Sequence, residues 1–263
     1  MRGGGANGRA VRVIPCLDVK DGQVVKGVRF AGLRTIGDPA ELAAAYEAQG
    51  ADELVFLDIS ATLEERATTR RMVEAVRERI SIPLCVGGGV GSVEDAARLL
   101  EAGADKVSVN SAAVRRPALI DELAARFGSQ CVVVAIDAAA ASGGGWEVLI
   151  RSGETRAGED AVAWARAASA RGAGEILLTS WDRDGTRSGY ELPLLRAIVA
   201  AVPVPVIASG GAASPLHLLE GIRAGASAVL AASIFHDGEE SVASVKDFLA
   251  RNGVRVRPAV ESP

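Results

Sequence analysis

Ile82-Pro83-Leu84-Cys85-Val86-Gly87-Gly88-Gly89 and Val204-Pro205-Val206-Ile207-Ala208-Ser209-Gly210-Gly211 are one kind of segment written twice. Each runs from a proline through a short apolar stretch into a glycine-rich turn. They lie 122 residues apart (204 − 82), and the same offset recurs along the chain. Gly50-Ala51-Asp52-Glu53-Leu54 matches Gly172-Ala173-Gly174-Glu175-Ile176 (172 − 50), Ala102-Gly103-Ala104 matches Ala224-Gly225-Ala226 (224 − 102), and Ser111 matches Ser233 (233 − 111). Chance likeness among Gly- and Ala-rich segments does not hold one offset over such a distance. Self-similarity at a fixed long spacing is the mark of a repeated structural unit. The chain reads as two similar halves.

Outward from these segments, short apolar runs recur: Val11–Leu17, Glu53–Asp58, Pro83–Val86, Lys106–Asn110, Cys131–Asp137, Glu175–Thr179, Pro205–Ser209 and Ala226–Ala232. They do not alternate strictly, as expected of strands buried on both faces in a parallel sheet. Ala/Leu/Glu/Arg-rich stretches with helical spacing lie between them, among them Pro39–Gln49, Val93–Ala102, Ala161–Arg171 and Leu216–Ala224. Asp38-Pro39, Ser92 and Ser214-Pro215 supply capping side chains at helix starts, and Gly50, Gly103, Gly172 and Gly225 supply stops. Eight βα units in 263 residues point to an α/β fold, a (β/α)8 TIM barrel built from two similar (βα)4 half-barrels. An open doubly wound sheet is the competing architecture, but four units in each half suit a closed barrel better. The barrel is expected over residues 11–257, with a Gly-rich tail at 1–10 and a short tail at 258–263.

Composition narrows the classes of function. Hydrophobic residues make up 49% and charged residues 24%, the balance of a globular protein with a large core rather than a disordered chain. The net charge of −4 provides no basic field for nucleic acid. No apolar run approaches the roughly 20 residues that span a membrane, and the start lacks the apolar segment of a signal peptide. Cys16, Cys85 and Cys131 form no CxxC pair and sit in apolar stretches, which reads as buried thiols in a reducing cytosol. The only histidines are His217 and His236, so zinc hydrolysis and Ser-His-Asp acyl transfer are disfavoured. Lys106 opens a strand, the wrong end for a Schiff base.

In a barrel of this type the residues after each strand lie at the catalytic face. Ser209-Gly210-Gly211 and Ala232-Ser233 follow strands seven and eight, the usual place of a phosphate cradle. Gly87-Gly88-Gly89 and Asn110-Ser111-Ala112 repeat the device after strands three and four. Glycine admits an anion close to backbone N–H groups, and a helix N-terminus adds favourable partial charge. Tight turns alone would use the same glycines, but two copies suggest a ligand with a phosphate at each end. Asp18 and Asp137 end strands one and five, 119 residues apart (137 − 18). One such aspartate is as readily a cap. A pair between two cradles suits general acid/base work on a bisphosphorylated small molecule.

Several of these stretches resemble a known family. Cys16–Gly22 (CLDVKDG), Asp52–Ile59 (DELVFLDI), Gly103–Asn110 (GADKVSVN), Val133–Asp137 (VVAID) and Leu178–Thr186 (LTSWDRDGT) are similar to the cyclase subunit of imidazole glycerol phosphate synthase, from about Val11 to Arg257. The resemblance implies histidine biosynthesis, with ammonia attacking the ketose of a ribulosyl aminoimidazole-carboxamide nucleotide. It implies a heterodimer with a glutaminase (glutamine amidotransferase) subunit that supplies the ammonia, and no metal or organic cofactor. On the positions of this chain it places catalysis on Asp18 and Asp137. Phosphate contacts fall on Gly89, Asn110 and Ser111 at one end, and on Gly185, Gly211, Ala232 and Ser233 at the other. Arg12, Glu53, Lys106 and Glu175, at strand starts on the opposite face, become an ammonia gate, where otherwise they would be a structural ion-pair layer. The segment from Lys20 to Gly37, with Lys20, Lys26, Arg29 and Arg34, is expected as a long loop that serves as a lid. Two rivals stand beside the cyclase: the sister isomerase of the same pathway, and a catalytically silent barrel that binds phosphorylated metabolites.

Overall fold

The computed structural model describes residues 10–28, 31–59, 63–151 and 153–258. Nearly all of the two expected tails, together with Arg29, lies outside the described residues. Eight parallel strands close into a barrel: β1 (Arg12–Lys20), β2 (Leu54–Asp58), β3 (Leu84–Gly87), β4 (Lys106–Val109), β5 (Val132–Ala140), β6 (Glu175–Ser180), β7 (Val206–Ser209) and β8 (Ala228–Ala231). Each pairs with its neighbours in sequence. β8 returns to β1 through Arg12 opposite Ala228, so the ring has no edge.

The helices α1 (Pro39–Ala48), α2 (Leu63–Arg79), α3 (Val93–Glu101), α4 (Ala118–Phe127), α5 (Ala161–Ala170), α6 (Leu192–Ala201), α7 (Pro215–Arg223) and α8 (Val242–Arg251) follow the strands in turn. Their starts confirm the capping chemistry. Asp38 accepts from Ala40 N and Glu41 N, Ser92 from Asp95 N, and Ser214 from His217 N. The two halves also agree beyond the quoted motifs. Asp160 caps α5 as Asp38 caps α1 (160 − 38 = 122), and short helices Ser111–Arg115 and Ser233–His236 both follow a barrel strand directly. This is the (β/α)8 TIM barrel of two (βα)4 halves.

Side chains alternate along each strand, so every second residue points to the barrel axis. On β1 that series is Arg12, Ile14, Cys16 and Asp18, and on β6 it is Glu175, Leu177 and Thr179. The middle layer is a small apolar cluster that includes Ile14, Cys16, Val55, Cys85, Val133 and Leu177. A larger cluster packs the outer faces of the strands against the helices. One inward face therefore carries charge at the strand starts, apolar packing in the middle and polar groups at the strand ends.

Two sequence expectations change. Residues after Lys20 do not form a loop: Gln23–Val28 and Ala31–Gly37 are antiparallel strands that extend β1, Val24 pairing with Val19. β5 continues in the same way into Trp146–Ile150 and Thr155–Asp160. For that reason Asp18 and Asp137 do not end their strands, which run on to Lys20 and Ala140. The added ladder supplies hydrogen-bond partners that a parallel barrel alone would not give these residues. Cys16 and Cys85 are buried as expected, whereas Cys131 is only half-buried beside β5.

Candidate active site

A cavity of about 780 Å3 opens at the C-terminal ends of the strands, and both Asp18 and Asp137 line it. Asp137 lies on β5 opposite Thr179 of β6 in the parallel ladder. Its Oδ2 accepts a hydrogen bond from Asn110 Nδ2 at 2.9 Å, and the Thr179 hydroxyl donates to it as well. Burial and the nearby charge of Asp184 raise its pKa to about 7, and those two hydrogen bonds hold it from rising further. At neutral pH this carboxyl is poised to take or give a proton.

Asp18 sits on β1 with 13% of its side chain exposed, 3.9 Å from Lys26 Nζ. The Cys16 thiol donates to its Oδ1 at 3.7 Å. Burial raises the pKa of Asp18; Lys26 opposes that shift and Asp184 adds to it. Asp184 thus bears on both carboxylates. It lies in the motif Leu178–Thr186, but nothing in the motif says that the loop after β6 folds back over the cavity. Asp184 and Thr179 carry no signal in the sequence that marks them as site residues, and Cys16, expected as a buried thiol, also lines the cavity.

Both glycine-rich turns and the residues after them face the cavity. Gly89, Asn110 and Ser111 line the cavity from the first half. Gly185, Gly211, Ala232 and Ser233 line it from the second. Gly88 and Gly89 have φ of 97° and 67°, and Gly210 and Gly211 have 89° and 94°, left-handed values that L side chains rarely adopt. A Cβ on Gly88 would stand 1.9 Å from Asp58 O, whereas one on Gly89 would meet nothing within 4 Å. The second position has open space beside it. The two lysines of the first segment separate: Lys26 lines the cavity beside Asp18, while Lys20, the last residue of β1, is exposed and does not. Arg34 pairs with Asp237 instead of reaching the cavity.

At the opposite end of the barrel, Arg12, Lys106 and Glu175 open β1, β4 and β6, and Glu53 directly precedes β2. They meet as an alternating cluster. Lys106 Nζ lies 2.9 Å from Glu53 Oε1 and 2.9 Å from Glu175 Oε2, and Arg12 pairs with the same two carboxylates. Burial opposes the charges of Arg12, Lys106 and Glu175, yet the pairing prevails: the pKa of Arg12 and of Lys106 is raised and that of Glu175 lowered. The apolar middle layer separates this cluster from the cavity.

Among the described residues no group of three or more His, Cys, Asp and Glu side chains is placed to hold a metal ion. No helix among them is long and apolar enough to cross a membrane. A comparison with protein families places the barrel among known proteins. The family model of the histidine biosynthesis protein matches residues 12–241, a span covering every strand of the barrel. That family takes in both the cyclase and the isomerase of the pathway. On this match over most of its length, the chain belongs to the histidine biosynthesis protein family.

Proposed function

We propose that the protein is the cyclase subunit of imidazole glycerol phosphate synthase, which uses ammonia from a partner glutaminase. The observation that carries this reading over the isomerase is the charged cluster Arg12–Glu53–Lys106–Glu175 at the barrel floor. Burying four charges costs several kcal/mol per ion in real proteins, and apolar packing often serves stability as well or better. A task at the axis of the barrel accounts for their presence: passage of a small polar molecule towards the cavity at the other end. The isomerase consumes no ammonia and has no use for such a gate.

The bisphosphorylated substrate would span the cavity with one phosphate at Gly89, Asn110 and Ser111. The other would lie at Gly185, Gly211, Ala232 and Ser233. Backbone N–H groups of the glycine turns and the hydroxyls of Ser111 and Ser233 are the donors suited to it. Between them, Asp137 handles protons at the ketose carbonyl as ammonia adds and water leaves. Asp18 assists ring closure and the carbon–nitrogen cleavage that releases the aminoimidazole-carboxamide ribotide. Lys26, beside Asp18, belongs to the hairpin over the cavity, which would shield the reacting atoms from water.

The test is an assay of purified protein with the ribulosyl substrate and ammonium salt at alkaline pH. Ammonia-dependent consumption is the expected result. Isomerisation of the preceding aldose in its place, or tight binding without turnover, would overturn the assignment.

A further inference from the structure

We infer that Arg115 and Arg151 bind phosphate at the first-half end of the cavity, and that their charge makes this end, not the other, the one that captures a phosphate first. Both side chains line the cavity together with Gly89, Asn110 and Ser111. Arg115 ends the short helix that begins at Ser111, and Arg151 follows the strand Trp146–Ile150 of the hairpin on β5. Among the described residues neither side chain makes an ion pair, whereas Arg116, the next residue along, pairs with Glu122. Arg151 is tied to the turn by its backbone, its N–H donating to Ser111 Oγ at 2.9 Å. Accepting that bond leaves the Ser111 O–H to donate to an anion. Arg151 also has φ of 54°, a left-handed value that glycine would adopt without strain. Backbone strain kept at a cavity wall points to a task for the side chain.

The repeat sets the two ends against each other. Position 115 matches position 237 (237 − 115 = 122), where the second half carries an aspartate. Asp237 pairs with Arg34, and Arg187 lies 3.7 Å from it and also pairs with Glu239. Arg187 is the arginine that lines the second end of the cavity, so its charge is offset before a ligand arrives. At the first end only Glu154, from the turn that holds Arg151, stands against the two guanidiniums. The glycine turns are alike in both halves, so side-chain charge is what distinguishes the ends. A guanidinium matches phosphate oxygens in two parallel hydrogen bonds, and a cleft wall of one sign concentrates the opposite ion. The inference rests on the reading of the glycine turns as phosphate cradles. It does not depend on the choice between cyclase and isomerase.

The test titrates the full chain, labelled with nitrogen-15, with inorganic phosphate at pH 8, where phosphate is the dianion. The amides of Gly89, Asn110 and Ser111 should shift at lower phosphate concentration than those of Gly211 and Ser233. Arg115→Gln and Arg151→Gln should each weaken binding at the first end about tenfold, the scale of one charge-assisted hydrogen bond, and leave the second end as it was. Arg116→Gln makes the same change of charge outside the cavity and should alter neither end. Arg151→Gly removes the side chain and relieves the left-handed strain, so it should melt no lower than the parent while losing the same affinity. That pairing separates a lost binding group from a damaged fold. Earlier shifts at Gly211 and Ser233, or parent-like affinity in both glutamine variants, would overturn the inference. No shift at either end would overturn it together with the cradle reading beneath it. Failure of the cyclase reading registers separately, as absence of ammonia-dependent turnover.

Discussion

Asn110 Nδ2 donates to Asp137 Oδ2 at 2.9 Å, so the residue just before the turn Ser111-Ala112 also steadies a carboxylate of the neighbouring strand β5. Asn110 stands just before the short helix Ser111–Arg115, and its Oδ1 is buried without a protein partner. On the proposed reading, this bond ties binding at that end of the cavity to proton transfer at Asp137.

The first prediction follows from that bond. Asp137 has a pKa of about 7, so if it acts as a base the rate should rise with pH through that value. Asn110→Ala removes a donor to the charged form, so the acid limb of the pH–rate profile should move to higher pH. Asp137→Asn should lower kcat at least about 100-fold, the scale of lost acid/base catalysis. A pH profile unmoved in Asn110→Ala would remove this coupling.

Stability should run the other way. The folded-state pKa of Asp137 lies above its ordinary value of 3.8. The stability linked to its protonated form is complete below that ordinary value and is lost as pH rises through about 7. Asp137→Asn carries no charge at any pH. It should melt at a higher temperature than the parent at pH 8, with the margin narrowing towards pH 5, as scanning calorimetry at the two pH values will show.

Asp18 answers to Lys26 and Asp184. Lys26→Ala takes away the cation that opposes the upward shift of Asp18, so its pKa should climb. Asp184→Asn removes a like charge from both carboxylates, and both pKa values should fall. Carbon-13 titration of the aspartate carboxyls in the ligand-free protein measures the two shifts directly; shifts of the same sign in both variants would contradict the account.

The cradle glycines should respond unequally. Gly89→Ala introduces a Cβ into open space, at the cost of a left-handed φ of 67°. It should raise KM several-fold with a stability loss of about 1 kcal/mol. A Cβ on Gly211 would stand 2.5 Å from Gly189 O and 2.8 Å from Arg183 O, so Gly211→Val should damage the loop after β6 and lose stability as well as affinity. Substrate KM and thermal melts of the two variants, compared side by side, decide the point.

For the floor cluster the source of ammonia is the variable. Lys106→Ala and Arg12→Ala should impair glutamine-dependent turnover, with the glutaminase present, far more than turnover on ammonium salt. Removing one cation also leaves Glu53 and Glu175 undercompensated, at roughly 3–5 kcal/mol for a buried pair, somewhat less here because Lys106 keeps 19% of its side chain exposed. Unfolding would depress both activities alike. Equal losses in the two assays would reduce the cluster to a structural ion-pair layer.

The barrel was legible in the chain because its signals are local. The apolar runs, the caps at Asp38, Ser92 and Ser214, and the glycine stops depend on sterics and hydrogen bonds within a few residues, and they repeat at one offset. The same holds for the cradle glycines and for Asp18 and Asp137, which sit at fixed places relative to their strands. What followed each strand was less legible. The extended pairing of Gln23–Val28 with Ala31–Gly37 needs β1 as a template, and a lone glycine- and lysine-rich stretch reads as loop. Contacts between distant residues were decided only by the tertiary structure. Asn110 on Asp137, Asp184 beside both carboxylates and the alternation of Arg12, Glu53, Lys106 and Glu175 all join different strands or loops. Barrel closure and the register between strands set those distances, and neither is a property of any single segment.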